Sequence, residues 1–261
     1  MLKLPENFES YEEARREGFL KVKSLKEKGV PVVGIFCTYT PMEIIHAAGA
    51  VAVSLCGTSD EPIPYAEKYL PKNLCPLIKS SYGFSVADRC PYFYFADLIV
   101  GETTCDGKKK MYEMLNELKP THVMHLPQGQ GLEHAFPYWK EELIRLKEKL
   151  EDTFNVKITD DILREEIKER NRERKILMDF YELGQLNPSP ITGQEINETM
   201  EALGYQFDRR AQCEFISERT QEIKDKYEKE LKGKKSNRPR ILVTGCPVSG
   251  VRDKVLKLIE D

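Results

Sequence analysis

Four short β-branched runs alternate with stretches of helical periodicity: VVGIFC (32–37), AVAVSL (50–55), DLIVGETT (97–104) and THVMHLP (121–127). Strands separated by helical crossovers pair in parallel, and the crossovers cover both faces of the sheet. The expected fold class is therefore α/β with a parallel sheet. Ligands of such sheets sit beyond the carboxyl ends of the strands, and Cys37 and Cys105 fall just past two of those ends.

The pattern also divides the chain. Phe19, Val22 and Leu25 at helical spacing mark an N-terminal helix within residues 1–30, stopped by Gly29, Val30 and Pro31. Residues 31–155 form the first α/β lobe, of flavodoxin- or Rossmann-like design. Over 156–237 the β signal vanishes, and charged segments with Leu163, Ile167, Leu177 and Tyr181, then Ile216, Ile223, Tyr227 and Leu231, predict helices. After the linker GKKSNRP (233–239), RILVTGCP (240–247) reads as an apolar strand and 249–260 as a helix, so that residues 238–261 look like the start of a second, truncated α/β lobe.

Composition excludes two partner classes. With 40 basic and 43 acidic residues, a net charge of −3 gives no basis for binding nucleic acid or an anionic membrane. The first residues lack a cationic segment followed by an apolar one, and no run is long enough to span a bilayer, so the protein reads as cytoplasmic. Seven cysteines, odd in number and dispersed, read as reduced thiols rather than a disulfide framework.

Two cysteine segments carry most of the chemical information: NLCPLIKSSYGF (73–84) and VGETTCDGKKKMYE (100–113). Each sets a cysteine at the end of a loop with a helix expected after it, where backbone N–H groups and the helix dipole favour thiolate. Thiolate is the form that binds iron in iron–sulfur clusters. Lys79, Lys108, Lys109 and Lys110 stand close by in sequence and would offset a cluster's negative charge, or else form a solvated face. The tight spacings of ferredoxin and zinc sites are missing.

CTYTPMEIIHAAG (37–49), CPLIKSSYGF (75–84), ETTCDGKKKMYE (102–113), HLPQGQ (125–130) and RILVTGCPVSG (240–250) resemble, in order, the signatures of the 2-hydroxyacyl-CoA dehydratase family. The branch they are most similar to is that of the double-cubane cluster proteins. The resemblance implies an iron–sulfur cluster, [4Fe-4S] or double-cubane [8Fe-9S], held by Cys75 and Cys105 and by a third cysteine from a second lobe beyond residue 261. Cys37, Cys90 and Cys246 are in-chain alternatives for that third ligand. It also implies a separate ATP-hydrolysing iron–sulfur activator and a homodimer or complementing lobe. The reactions implied are low-potential reduction of small molecules or radical dehydration of a 2-hydroxyacyl-CoA. A non-catalytic lobe of a split assembly is the alternative from another class.

Glu43 has two readings. The resemblance offers it as a catalytic acid or base, whereas Thr40-Pro41-Met42-Glu43 reads locally as a capping box. His46 is expected to pack or face solvent, and Cys213 to be inert on its helix. TGCPVSGVRDK (244–254) is not read as an ATP loop, because Val251 stands where a lysine is needed.

Overall fold

In the computed structural model, which describes residues 13–245 and 253–261, the chain divides between Ile167 and Lys168 into two compact units. The first is built on four parallel strands, β1 (Val32–Ile35), β2 (Val51–Ser54), β3 (Leu98–Glu102) and β4 (Thr121–Met124), in the order β2-β1-β3-β4. All four expected runs form strands. The central pair is buried on both faces: Val32, Val33, Leu98, Ile99 and Val100 are each fully inaccessible. That is why β1 and β3 read as continuous apolar runs rather than as alternating ones.

Helices close both faces. α1 (Glu13–Glu27) buries Phe19 and Val22, and Phe19 stacks on Phe95 of α5 (Pro91–Phe95) with ring centroids 5.8 Å apart. Asp97 ties this corner, accepting from the Val32 N–H at 2.8 Å and from Lys26 Nζ at 2.6 Å. Another cluster joins Ile44 and Ile45 of α2 (Met42–Ala47) to Leu98, Val100, Met124 and Ile158, and to Leu146 and Leu150 of α7 (Ala135–Phe154). Full burial of side chains of this size contributes about 1.5–3 kcal/mol apiece.

Between β2 and β3 the chain makes α3 (Ile63–Ala66) and α4 (Pro76–Val86) before α5. Gly83 lets α4 press against the loop ahead of α3, since a Cβ there would overlap the Pro62 carbonyl. From β3 the chain crosses to β4 through α6 (Asp106–Asn116), whose inner face buries Met111, Tyr112 and Leu115.

The second unit is helical, comprising the later turns of α8 (Asp160–Tyr181), α9 (Gly193–Leu203) and α10 (Arg209–Lys226) around Phe180, Leu183, Ile191, Leu203, Ile216 and Ile223. A capping box of Thr192 and Glu195 starts α9. The buried carboxylate of Glu173 receives Arg170 at 2.7 Å and Arg209. One expectation fails in this unit. Residues 240–245 carry no strand, and Ile241 and Leu242 are 61% and 86% exposed. An apolar run becomes a strand only where a neighbour supplies a hydrogen-bonding ladder, and none of the described residues does so. Helix resumes at Asp253–Lys257 and in α11 (Leu258–Glu260). Cys246 and the rest of residues 246–252 lie outside the described residues.

Candidate metal centre

The strand order places a crevice at one edge of the sheet. From β1 the chain crosses to β2 on one side, and from β3 to β4 on the other, so the connections diverge between β1 and β3. Such a switch point is where open α/β sheets bind ligands. Cys37 follows β1, Cys56 follows β2 and Cys105 follows β3, each within three residues of the strand end. Cys56 was not singled out from the sequence, although AVAVSLC repeats the strand-then-cysteine pattern of GIFC.

Cys105 is the N-cap of α6 and Cys75 the N-cap of α4, with Pro76 supplying the pre-set φ of a first helical residue. Both cysteines are exposed, and neither sulfur accepts a capping hydrogen bond. Gly107 brings the two helix starts together: a Cβ there would lie 2.6 Å from Ile78 Cδ1 and 3.0 Å from Leu74 Cδ1, the residues around Cys75. Two exposed thiols therefore stand at neighbouring helix N-termini, where the positive dipole end favours negative charge.

Of the four lysines expected to offset cluster charge, one reaches a cysteine. Lys108 Nζ donates to Cys37 Sγ, which also lies 3.5 Å from Thr104 Oγ1. Lys109 and Lys110 are turned outward by the helical repeat onto Asp106 (2.9 Å) and Glu113 (2.8 Å). Lys79 is buried and structural, donating to Glu67 (2.8 Å) and to the Lys72 carbonyl (2.7 Å). Burial works against the charge on Lys108. The hydrogen bond to Cys37, with the nearby Cys37, Cys56 and Cys105 sulfurs, outweighs it and holds the ammonium above its ordinary range.

Below this rim lies a carboxyl that sequence reasoning missed. Glu102, at the end of β3, is wholly buried and accepts from Thr40 Oγ1 at 2.5 Å, while its other oxygen has no partner among the described residues. Burial pushes its pKa up, against the Thr40 hydrogen bond. The Tyr112 ring lies against Gly101, where a Cβ would overlap it, and burial pushes the tyrosine up as well. Thr40 is thus not the N-cap of a box: α2 starts from Pro41 with no side-chain capping bond, because the Thr40 hydroxyl is turned inward. Glu43 sits half-buried in the first turn of α2. His46, one turn on, has Nδ1 4.0 Å from Glu166 Oε2.

Cys90 contrasts with this group. It caps α5 with its sulfur, accepting from the Phe93 N–H at 3.3 Å, and burial raises its thiol to about 11. Cys213 on α10 is half-buried, and burial raises it too. Among the described residues no three His, Cys, Asp or Glu side chains are grouped to hold a metal ion. Nor is any described helix long and apolar enough to cross a membrane.

Residues 37–261 match the family described as 2-hydroxyglutaryl-CoA dehydratase, D-component. The chain belongs to that family. It is 51% identical over 259 residues to a protein named as a dehydratase subunit, YjiM, of Escherichia coli (strain K12), covering 99% of this chain and 67% of that one. It is 25% identical to the (R)-phenyllactyl-CoA dehydratase beta subunit of Clostridium sporogenes, over 92% of this chain and 62% of that one. A third relative, one of the subunits of the benzoyl-CoA reductase of Thauera aromatica, is 27% identical over 66% of this chain and 45% of its own length. The chain thus spans about two thirds of the length of the first two relatives and under half of the third. Its relatives therefore include proteins named as subunits of dehydratases and of a reductase.

Proposed function

We propose that this chain is an iron–sulfur subunit in which Cys75 and Cys105 are the cluster ligands, serving low-potential reduction of a small molecule. One observation carries the reading: two exposed thiols at adjacent helix N-termini, neither engaged in capping. These residues fit the group. Both sulfurs stand exposed at helix starts, and the Lys108 ammonium offsets negative charge at the same edge. When bound, a [4Fe-4S] or double-cubane [8Fe-9S] cluster would supply one-electron chemistry. Glu43 is proposed as the acid or base that moves a proton at this edge, its half-buried carboxyl being set at the start of α2.

Two thiolates do not close a cluster, so a further ligand is required from a complementing lobe or a second copy of the chain. The names of the relatives, each of them a subunit, support that arrangement. Electrons would come from a separate ATP-hydrolysing iron–sulfur activator. The reductase reading gains support from the benzoyl-CoA reductase relative. Radical dehydration of a 2-hydroxyacyl-CoA is the second reading, favoured by the phenyllactyl-CoA dehydratase beta subunit, which aligns with 92% of this chain.

The test is anaerobic purification of the full-length protein, with assay of iron and acid-labile sulfide. Iron equivalent to two cubanes per site supports the double cubane, and one cubane supports the dehydratase reading. Cys75→Ala and Cys105→Ala are each expected to abolish stable iron binding. Full iron in either variant refutes the ligand assignment, and absence of iron from the wild type leaves the non-catalytic lobe.

A further inference from the structure

The three residues ahead of Cys105 direct their hydrogen bonds sideways, into the loops of both neighbouring strands. β3 lies between β1 and β4; Glu102 reaches one neighbour and Thr103 the other. The Glu102 carboxyl accepts from Thr40 Oγ1 at 2.5 Å, in the loop after β1, and both side chains are buried. Thr103 Oγ1 accepts from the Leu126 N–H at 2.9 Å, in the loop after β4, and its own N–H donates to the Met124 carbonyl at 3.1 Å. The Thr104 N–H then donates to the Glu102 carbonyl at 2.8 Å, which turns the chain tightly into Cys105.

The Cys105 sulfur is exposed and makes no capping bond, so its position is set through the backbone that precedes it. The Cys75 side is held by separate means. The Gly57 N–H donates to Ser81 Oγ at 2.9 Å and Ser80 Oγ to the Ser59 carbonyl at 2.6 Å, which pins the loop beyond β2 onto α4. Burying a hydroxyl and a carboxyl, as Thr40 and Glu102 do, costs more than an apolar pair of the same shape would. What such a pair adds is a defined geometry, and groups behind a metal ligand decide where the ligand atom stands.

We propose that Thr40, Glu102 and Thr103 are the positioning residues of Cys105: they clamp the loops after β1 and β4 onto its segment, so that the thiol is preset beside Cys75 before iron arrives. The preset loop stands apart from the iron–sulfur reading; its service to a cluster rests on that reading.

The experiment uses full-length anaerobic protein as wild type, Thr40→Val, Thr103→Val, Thr40→Ser and Thr103→Ser, with Cys90→Ala as a variant weakened elsewhere. In the cluster-free form, hydrogen–deuterium exchange is followed by peptide mass spectrometry. In each valine variant the amides of residues 104–109 should exchange about tenfold faster, the factor that loss of one buried hydrogen bond gives to a local opening, while the start of α4 stays at wild type. The serine variants should restore protection. In the reconstituted form, each valine variant should release iron to a chelator about tenfold faster, the scale of a lost outer-shell partner. Its EPR spectrum after reduction should broaden, because the sulfur no longer holds one position. Cys90→Ala should change neither readout; equal changes there would trace both effects to overall stability and overturn the proposal. Exchange at 104–109 that matches wild type in either valine variant removes that tie from the clamp, and in both overturns the preset loop. Faster exchange with unchanged iron release and spectrum overturns the service to the cluster, as does iron loss that serine fails to restore. A wild type that binds no cluster defeats the iron–sulfur reading itself, while the exchange data still decide the preset loop.

Discussion

The N-termini of α4 and α6 differ from that of α5 in a way that their sequences conceal. All three start on a cysteine, and α4 and α5 share Cys-Pro. In α5 the Cys90 sulfur folds back onto the Phe93 N–H and is held as thiol. In α4 and α6 the sulfurs stay exposed and cap nothing. The decisive difference is what surrounds each start. Tyr92, Phe93 and Phe95 bury the α5 turn, whereas α4 and α6 begin at an open edge beyond the strands. The same residue at the same helical position is a cap when enclosed and a candidate ligand when open.

Substitutions can break or sharpen this contrast, and their effects on stability should fall in a definite order. The largest belongs to Gly83→Ala, where the new methyl meets the Pro62 backbone carbonyl rather than a side chain that could swing aside. Overpacking of that kind costs about 1–3 kcal/mol, read as a lower urea midpoint, and α4 should move with Cys75 on it. An unchanged midpoint would show that α4 is not seated there.

Cys90→Ala should cost about 1 kcal/mol, the scale of a lost N-cap acceptor, while Cys90→Ser keeps most of it. Iron content should be unaffected in both. If Cys90→Ala lost iron, α5 would belong with α4 and α6 after all. Cys75→Ala and Cys105→Ala should do the reverse, shifting stability by less than about 0.5 kcal/mol, as exposed positions do, while removing iron.

The smallest change concerns Glu102, on the inner side of the open edge. Its folded pKa is raised by burial, so its contribution is fully present below the unfolded carboxyl value and is lost as pH rises through the folded one. Glu102→Gln can still accept from Thr40 and removes that loss. Its urea midpoint should match wild type in acid and exceed it near neutral pH; a midpoint below wild type at neutral pH would mean that the ionised carboxylate is the stabilising form.

Much of the first unit was legible because it is local. VVGI, VAVS, LIVGE and THVM announce strands by composition, and the loops that follow them place Cys37 and Cys105 at the carboxyl edge of the sheet. Cys75 became prominent through the helix expected after its loop and through the family signature. What could not be read joins distant residues. Thr40 meets Glu102 across 62 positions, and Lys108 meets Cys37 across 71. Nothing in TPME distinguishes a threonine that caps its own helix from one turned onto a neighbouring strand. The run ILV at 241–243 was misread for the same reason, since a strand is a property of two segments and the sequence displays one.

The bare Cα of Gly101 acts as a shim beneath α6. The Tyr112 ring rests against it, which fixes how deeply the helix settles on the sheet, and Lys108 rides the same helix one turn earlier. A bulkier residue at 101 would raise the helix and draw the lysine off Cys37 while altering neither. The charge at the thiol edge is thereby metered by a position that has no side chain at all.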